Sequence, residues 1–285
     1  MNNKPGHPHT DDIPELKALW NKVFGKIGLE AFFSLFFNVK HCQIIRSDNN
    51  IAAMGFMLPA GDFVYKKRTF PCAMIYSVAT LSQYRGLGFG TDIANSLINT
   101  AYDSGYPVVV LCPATDSLFE YYSRNTDFRD YFFVNEQIIN SMPDAQTNII
   151  PEQISASEYI NLREELLKNV IHIKSSPGIP EYQQSLCRET GGGFYRIGDS
   201  CAAVECQSDG TVHVKELLVH VGSANEALSS IARKFPSEKY VVRTPVNMSS
   251  TNTDSRRFGM LTSSDKSILQ DSDNTFEAWY GLAFD

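Results

Sequence analysis

The stretch Ser82-Gln83-Tyr84-Arg85-Gly86-Leu87-Gly88-Phe89-Gly90-Thr91 holds the residues whose types and spacing speak most directly of chemistry. Gly86, Gly88 and Gly90 alternate immediately before a segment of helical periodicity. A strand that feeds such a turn into a helix N-terminus makes an anion site. Glycines let backbone N–H groups converge, and the helix dipole favours negative charge. What the loop lacks narrows the anion. A Walker-type phosphate loop ends in Gly-Lys-Ser/Thr, whereas Gly90-Thr91-Asp92 has no lysine. A dinucleotide fingerprint needs a glycine three positions after Gly88, where Thr91 stands, and no acidic residue downstream has a suitable strand to sit on.

The loop must be positioned by the elements around it. A helix over 13–24, capped by Asp12, and a second over 29–37 with Phe32, Phe33, Phe36 and Phe37 on one face precede strand-like runs at 42–47, 51–58, 63–67 and 73–81. The Phe-rich face reads as core, with a ligand pocket as the alternative. A helix from Thr91 presents Ile93, Ala94, Leu97, Ile98 and Ala101 on one side and stops at Gly105. A buried strand at 107–111, a helix at 117–124 and a strand at 131–134 follow. The aperiodic 142–151, with Pro143 and Pro151, reads as a linker.

The second half repeats this order. Helices at 157–168 and 180–190 lead to a hairpin (194–197 and 201–206), a strand at 212–219, a helix behind the capping box Ser223-x-x-Glu226, a strand at 240–243 and a last strand-like run at 276–284. Thr91 to Pro113 and Ser223 to Pro245 are both 22 residues. Nine residues, 82–90, separate strand from helix in the first half and about two, Val221-Gly222, in the second, so only the first half keeps the glycine loop. The reading is an α/β chain with a mixed sheet in two related domains, 1–145 and 146–285.

Composition excludes several classes. At 285 residues, 43% hydrophobic and 20% charged, the chain is globular, and its length fits two domains. Net charge is −2 over residues 1–145 and −5 over 146–285, with no Lys/Arg run beyond 66–68, so a nucleic-acid partner is disfavoured. The acidic balance tilts the expected substrate towards polycations. Six cysteines form no C-x-x-C pair, no His/Cys cluster has zinc spacing, and no metal is expected. No apolar segment has membrane-spanning length, and a reducing cytoplasm is the expected compartment.

Gln83-Tyr84-Arg85-Gly86-Leu87-Gly88-Phe89-Gly90 resembles the pyrophosphate loop of the GNAT superfamily of N-acetyltransferases, with Arg85 opening Arg-Gly-x-Gly-x-Gly. Ser77-Val78-Ala79-Thr80-Leu81 resembles that family's fourth strand. Leu118-Phe119-Glu120-Tyr121-Tyr122-Ser123-Arg124 resembles its later tyrosine-bearing segment, although Asn125-Thr126-Asp127-Phe128 stands where the family has Gly-Phe. The resemblance covers residues 10–134. The overall pattern is similar to tandem acetyltransferases of the enhanced-intracellular-survival type, whose second domain has lost its cofactor loop, without a third domain.

The resemblance implies acetyl-CoA as cofactor, with backbone groups at Val78, Ala79 and Thr80 along the pantetheine and amides of Arg85, Gly86, Leu87, Gly88, Phe89, Gly90 and Thr91 on the pyrophosphate. It implies direct attack by an amine, so the lack of a Ser/His/Asp arrangement is no objection, and a tyrosine as acid to the departing thiolate. Tyr122 is the first choice and Tyr121 the second. In the larger tandem enzymes the chain end reaches the active site, which makes the Asp285 carboxylate a candidate base, with Tyr76 and water as the alternative. Cys112 and His213 read as packing residues, and Glu216 as a possible amine-binding group in a cleft between the domains. The acceptor is an amine of a small molecule or peptide. The competing readings are a non-catalytic CoA-binding regulator or scaffold, and a tandem acyltransferase that uses another acyl donor.

Overall fold

The computed structural model describes residues 3–140, 147–220, 222–248, 255–269 and 278–284. In the first half, α1 (Ile13–Phe24) and α2 (Leu29–Leu35) precede β1 (Cys42–Ser47), β2 (Asn50–Tyr65) and β3 (Arg68–Thr80). Then come α3 (Phe89–Asp103), β4 (Val108–Leu111), α4 (Asp116–Asn125) and β5 (Arg129–Ile139). In the second, the short β6 (Glu152–Gln153), α5 (Ala156–Leu167), β7 (His172–Ser175) and α6 (Ile179–Glu189) precede β8 (Gly193–Ile197), β9 (Ser200–Cys206) and β10 (Val212–Leu218). The chain continues with α7 (Ala224–Lys234), β11 (Tyr240–Thr244), β12 (Ser255–Ser263) and the single turn α8 (Lys266–Leu269).

All strands belong to one mixed sheet, ordered β1-β2-β3-β4-β12-β5-β11-β10-β9-β8-β6, with β7 on the far end of β2. The repeat is visible in the pairing. β3 pairs antiparallel with β2 and parallel with β4 through Cys72↔Val108 to Met74↔Val110. β10 pairs antiparallel with β9 and parallel with β11 through Val212↔Tyr240 to Val214↔Val242. Each central strand bulges just past its last parallel pair: β3 near Ser77, whose φ is 51°, and β10 at Lys215.

Apolar spacing explains the layers. Ile93, Ala94, Leu97, Ile98 and Ala101 of α3 cover one face of the first-half strands. Ala227, Leu228 and Ile231 of α7 cover Val212, Val214, Leu217 and Val219. The opposite face carries the large shared core, including Trp20, Phe32, Phe56, Tyr159 and Trp279. Phe32 is fully buried, 4.6 Å from Trp20 and 4.9 Å from Phe56 between ring centroids, so the Phe-rich face of α2 is core.

Several expectations are corrected. The runs at 51–58 and 63–67 are one long strand, β2, because Pro59 and Gly61 sit in a register shift and do not end the ladder. Its arm beyond Ala60 recruits β7, a strand the sequence reading does not anticipate. The final ladder strand is not 276–284 but β12, inserted antiparallel between β4 and β5. Residues 278–284 run buried with a single bridge, Trp279 to His172, and 276–277 lie outside the described residues. Ser223 caps α7 without a side-chain bond, so the capping box does not form. The connection from β10 to α7 takes five residues, 219–223, and that from β3 to α3 takes eight, 81–88. Among the described residues no helix is long and apolar enough to cross a membrane.

Candidate active site

The glycine loop leaves β3 through a tight helical turn at Ser82–Tyr84, and Tyr84 ties it down by donating to Asp48 Oδ2 at 3.1 Å. Gly86 and Gly88 have φ of 84° and 83°, the left-handed region that a side chain resists. A Cβ at either would meet nothing within 4 Å, so the cradle is open on its outer side. Gly88 is the N-cap of α3, and Asp92 N–H is the first to bond back, to Gly88 O at 3.1 Å. The amides of Phe89, Gly90 and Thr91 therefore have no intrahelical acceptor and point outwards with the positive end of the helix dipole. These features suit a pyrophosphate. The side chain of Arg85 folds back on β3, its Nε donating to Thr80 O at 3.4 Å.

Past Met74 the β3–β4 ladder has no further pair, and the strands part. This opening carries Tyr76, Ser77 and Val78 into a cavity of about 590 Å³, which Cys112, Pro113 and Ala114 border from the end of β4. A bulge both bends a strand and re-aims its groups, and here it lies at the opening.

The adjacent tyrosines of α4 diverge, as successive helical residues must. Tyr122 lines the cavity, and among the described residues no hydrogen-bond partner holds its hydroxyl. Burial, with Tyr121 beside it, pushes that hydroxyl well above the usual phenol value, so it is protonated at neutral pH. Tyr121 turns the other way. Its hydroxyl meets Thr91 Oγ1 at 2.8 Å and lies where a Cβ on Gly90 would sit, 2.9 Å away. Tyr121 is thus part of the loop's support.

Cys112 Sγ donates to Phe258 O at 2.9 Å, which occupies it in packing β12. Among the other thiols, burial pushes Cys187 up to about 12, the behaviour of an inert core cysteine. Ala283 and Phe284 line the cavity, whereas Asp285 lies outside the described residues.

Glu216 is not in the cavity. It is fully buried, accepting from Arg163 Nε at 3.0 Å, Tyr159 Oη at 2.7 Å and Trp279 Nε1 at 2.5 Å. Gly281, with φ of 71°, passes so close that a Cβ there would fall 2.0 Å from Glu216 Oε2. This cluster fastens the last described segment to the second half. The cavity residues of that half are instead Glu205, Gln207, His213, Lys215 and Arg243. Of these, sequence reasoning singled out only His213, because the five come from β9 and the residues just after it, β10 and β11, which only the order of the sheet brings together. His213 and Lys215, polar residues two positions apart in an otherwise apolar run, were the available signal.

Residues 7–125 match the family model described as an acetyltransferase (GNAT) domain. Among solved structures, a GCN5-related N-acetyltransferase from Kribbella flavida is similar at TM-score 0.64 and 15% identity, over 91% of this chain and 71% of its own. A probable N-acyltransferase from Enterococcus faecalis matches at TM-score 0.66 and 12% identity, over 91% and 72%. Eis1 from Mycobacterium abscessus matches at TM-score 0.61 and 10% identity, over 91% and 73%. No curated protein matches. Residues 7–125 thus match the acetyltransferase (GNAT) domain, a family whose acyl donor is acetyl-CoA, and the chain has the fold of these solved structures.

Proposed function

We propose that the chain moves an acetyl group directly from acetyl-CoA to an amine, with residues 1–145 holding the donor and residues 146–285 shaping the acceptor side of the cleft. The observation that carries this reading is the convergence of one cavity on the parted strand at Tyr76–Val78 and on Tyr122, whose hydroxyl has no partner among the described residues. Acetyl-CoA supplies an acyl group on a thiol leaving group.

Each protein group then has a defined task. Amides from Arg85 to Thr91 take the pyrophosphate, and the open edge at Val78, Ala79 and Thr80 takes the amide-bearing arm. The backbone N–H at Val78 polarises the thioester carbonyl. The acceptor nitrogen attacks that carbon, the C–S bond breaks, and Tyr122 gives its proton to the sulfur. The nitrogen loses its extra proton to a base, and the phenolate regains one from solvent. Asp285 and Tyr76 with water are the candidate bases. Ala283 and Phe284 in the cavity wall support the first, and the place of Tyr76 in the opening supports the second. Holding both reactants against one strand supplies much of the acceleration.

The test is acetyl-CoA turnover across a panel of amines, with Arg85→Ala and Tyr122→Phe beside the wild type. Turnover with at least one amine is expected. Acetyl-CoA binding without turnover across the panel would favour a CoA-binding regulator.

A further inference from the structure

An amine that reacts at Tyr76–Val78 must carry the rest of its molecule along the walls of the same cavity, so those walls limit what it can be. A row of rings leads outwards from the reacting strand. Tyr76 lies 5.7 Å from Trp20 between ring centroids, and Trp20 lies 5.6 Å from Phe24, both pairs edge to face. Phe284 flanks the inner end, 5.5 Å from Tyr76. Trp20 is buried, whereas Phe24 is 45% exposed and Ile27 59%. The row therefore starts in the core and ends, at the cavity mouth, in apolar side chains open to solvent.

Local structure explains that ending. Phe24 is the last residue of α1, and Gly25, with φ of 82°, stops the helix behind it. Ile27 follows in the turn before α2. Leu118 of α4 and Leu186 of α6 border the same cavity. A lone exposed apolar side chain is ordinary. Two that adjoin one cavity and continue a row of rings to its reacting edge mark a ligand groove.

The wall from β9, β10 and β11 holds its charges against other charges. Apart from the imidazole of His213, the ionisable side chains it brings to the cavity are Glu205, Lys215 and Arg243, all buried. Lys215 Nζ stands 3.9 Å from Glu205 Oε2, and Glu205 Oε1 accepts from Gln183 Nε2 at 3.1 Å. Arg243 Nε donates to Glu136 Oε2 at 2.6 Å, and its guanidinium lies 5.3 Å from the centre of the Phe258 ring. A second ammonium on the acceptor would meet a carboxylate that Lys215 already balances. A carboxylate on the acceptor would meet cations that Glu205 and Glu136 already balance. Either group would lose hydration without a compensating ion pair. An apolar body gains by covering the rings.

On the acetyltransferase reading, we infer that the acceptor is a primary amine on an aromatic body that carries no second charge, with Phe24 and Ile27 gripping that body at the cavity mouth. This reverses the tilt towards polycations that overall composition gives, because the acidic excess is not on the cavity wall.

The test uses phenethylamine, ethanolamine and spermidine: a single amine with a ring, a single amine with a hydroxyl in its place, and a polyamine with no ring. Binding is measured by calorimetry and acetyl transfer as kcat/KM, for the wild type, Phe24→Ser and Ile27→Ser. Both positions are at the surface, so both variants should fold. The wild type should favour phenethylamine over ethanolamine at least tenfold, with spermidine no better than ethanolamine. Each variant should cut the phenethylamine-to-ethanolamine ratio by about fivefold, roughly the worth of one buried methylene group. A wild-type ratio near one, a preference for spermidine, or a ratio unmoved in both variants overturns the inference. Ring-dependent binding with no acetyl transfer would uphold it while overturning the transferase reading. Transfer that favours spermidine would do the reverse.

Discussion

The two halves of the chain share an order of elements and part company after their bulged central strands. In the first, eight residues with two left-handed glycines carry β3 to α3 and leave the helix N-terminus open. In the second, five residues carry β10 to α7. The bulges differ as well: Ser77 faces the opening where strands part, whereas Lys215 brings charge to the cavity wall. The same order of elements thus carries a loop three residues longer in the first half and a different bulge residue in the second, the difference on which the proposed division into donor and acceptor sides rests.

The comparison can be broken most severely at the second half's buried cluster. Arg163→Met leaves Glu216 uncompensated at zero exposure, and its expected cost is about 3–5 kcal/mol of stability, read as a large fall in Tm. An unaltered melting curve would show that the cluster does not fasten the 278–284 segment. Tyr122→Phe tests the donor side. The predicted loss is in kcat, by about 100-fold or more, with the Kd for acetyl-CoA unchanged. Full activity would remove Tyr122 as the acid.

Matched glycine substitutions sharpen the contrast. Gly88→Ala and Gly222→Ala both force a side chain into positive φ, 83° and 93°, and each should cost about 1 kcal/mol of stability. Only Gly88→Ala should weaken acetyl-CoA, by about tenfold, the worth of one backbone bond to a charged group. Tyr121→Phe, which removes the bond to Thr91, should weaken acetyl-CoA by no more than about fivefold and leave kcat intact.

A further effect, confined to acid pH, lies where the halves join. Glu136 of β5 accepts from Arg243 of β11 and Arg256 of β12. Burial alone would raise its pKa, but the bonds from Arg256 and Arg243 outweigh that and hold it at about 2, below the ordinary glutamate value of 4.5. Its stabilisation is therefore complete above pH about 4.5 and lost as pH falls towards 2, with a size on the order of 1–2 kcal/mol after solvent screening. The Tm gap between wild type and Glu136→Gln should close across that window. A gap that stays constant would place the stabilisation elsewhere.

Most helices and the glycine loop were legible because their signals are local: apolar spacing on α1, α3 and α7, and alternating glycines before Thr91. The alternating glycines before Thr91 also set the first half apart from the second. What was not legible depended on distant pairing. β12 has no local mark that sends it between β4 and β5, and β7 is a strand only because the arm of β2 reaches it. Glu216 read as a possible cleft residue, whereas the cavity wall takes His213 and Lys215 and the bulge at Lys215 leaves Glu216 in the buried cluster with Arg163. The different directions of Tyr121 and Tyr122 likewise required the position of α4 over Gly90.

The central claim, a donor site in the first half alone, is tested most directly by calorimetric titration of the wild type, Gly88→Ala and Gly222→Ala with acetyl-CoA. The predicted result is one site per chain, weakened by Gly88→Ala and untouched by Gly222→Ala. Two sites per chain, or one that ignores Gly88→Ala, would contradict it.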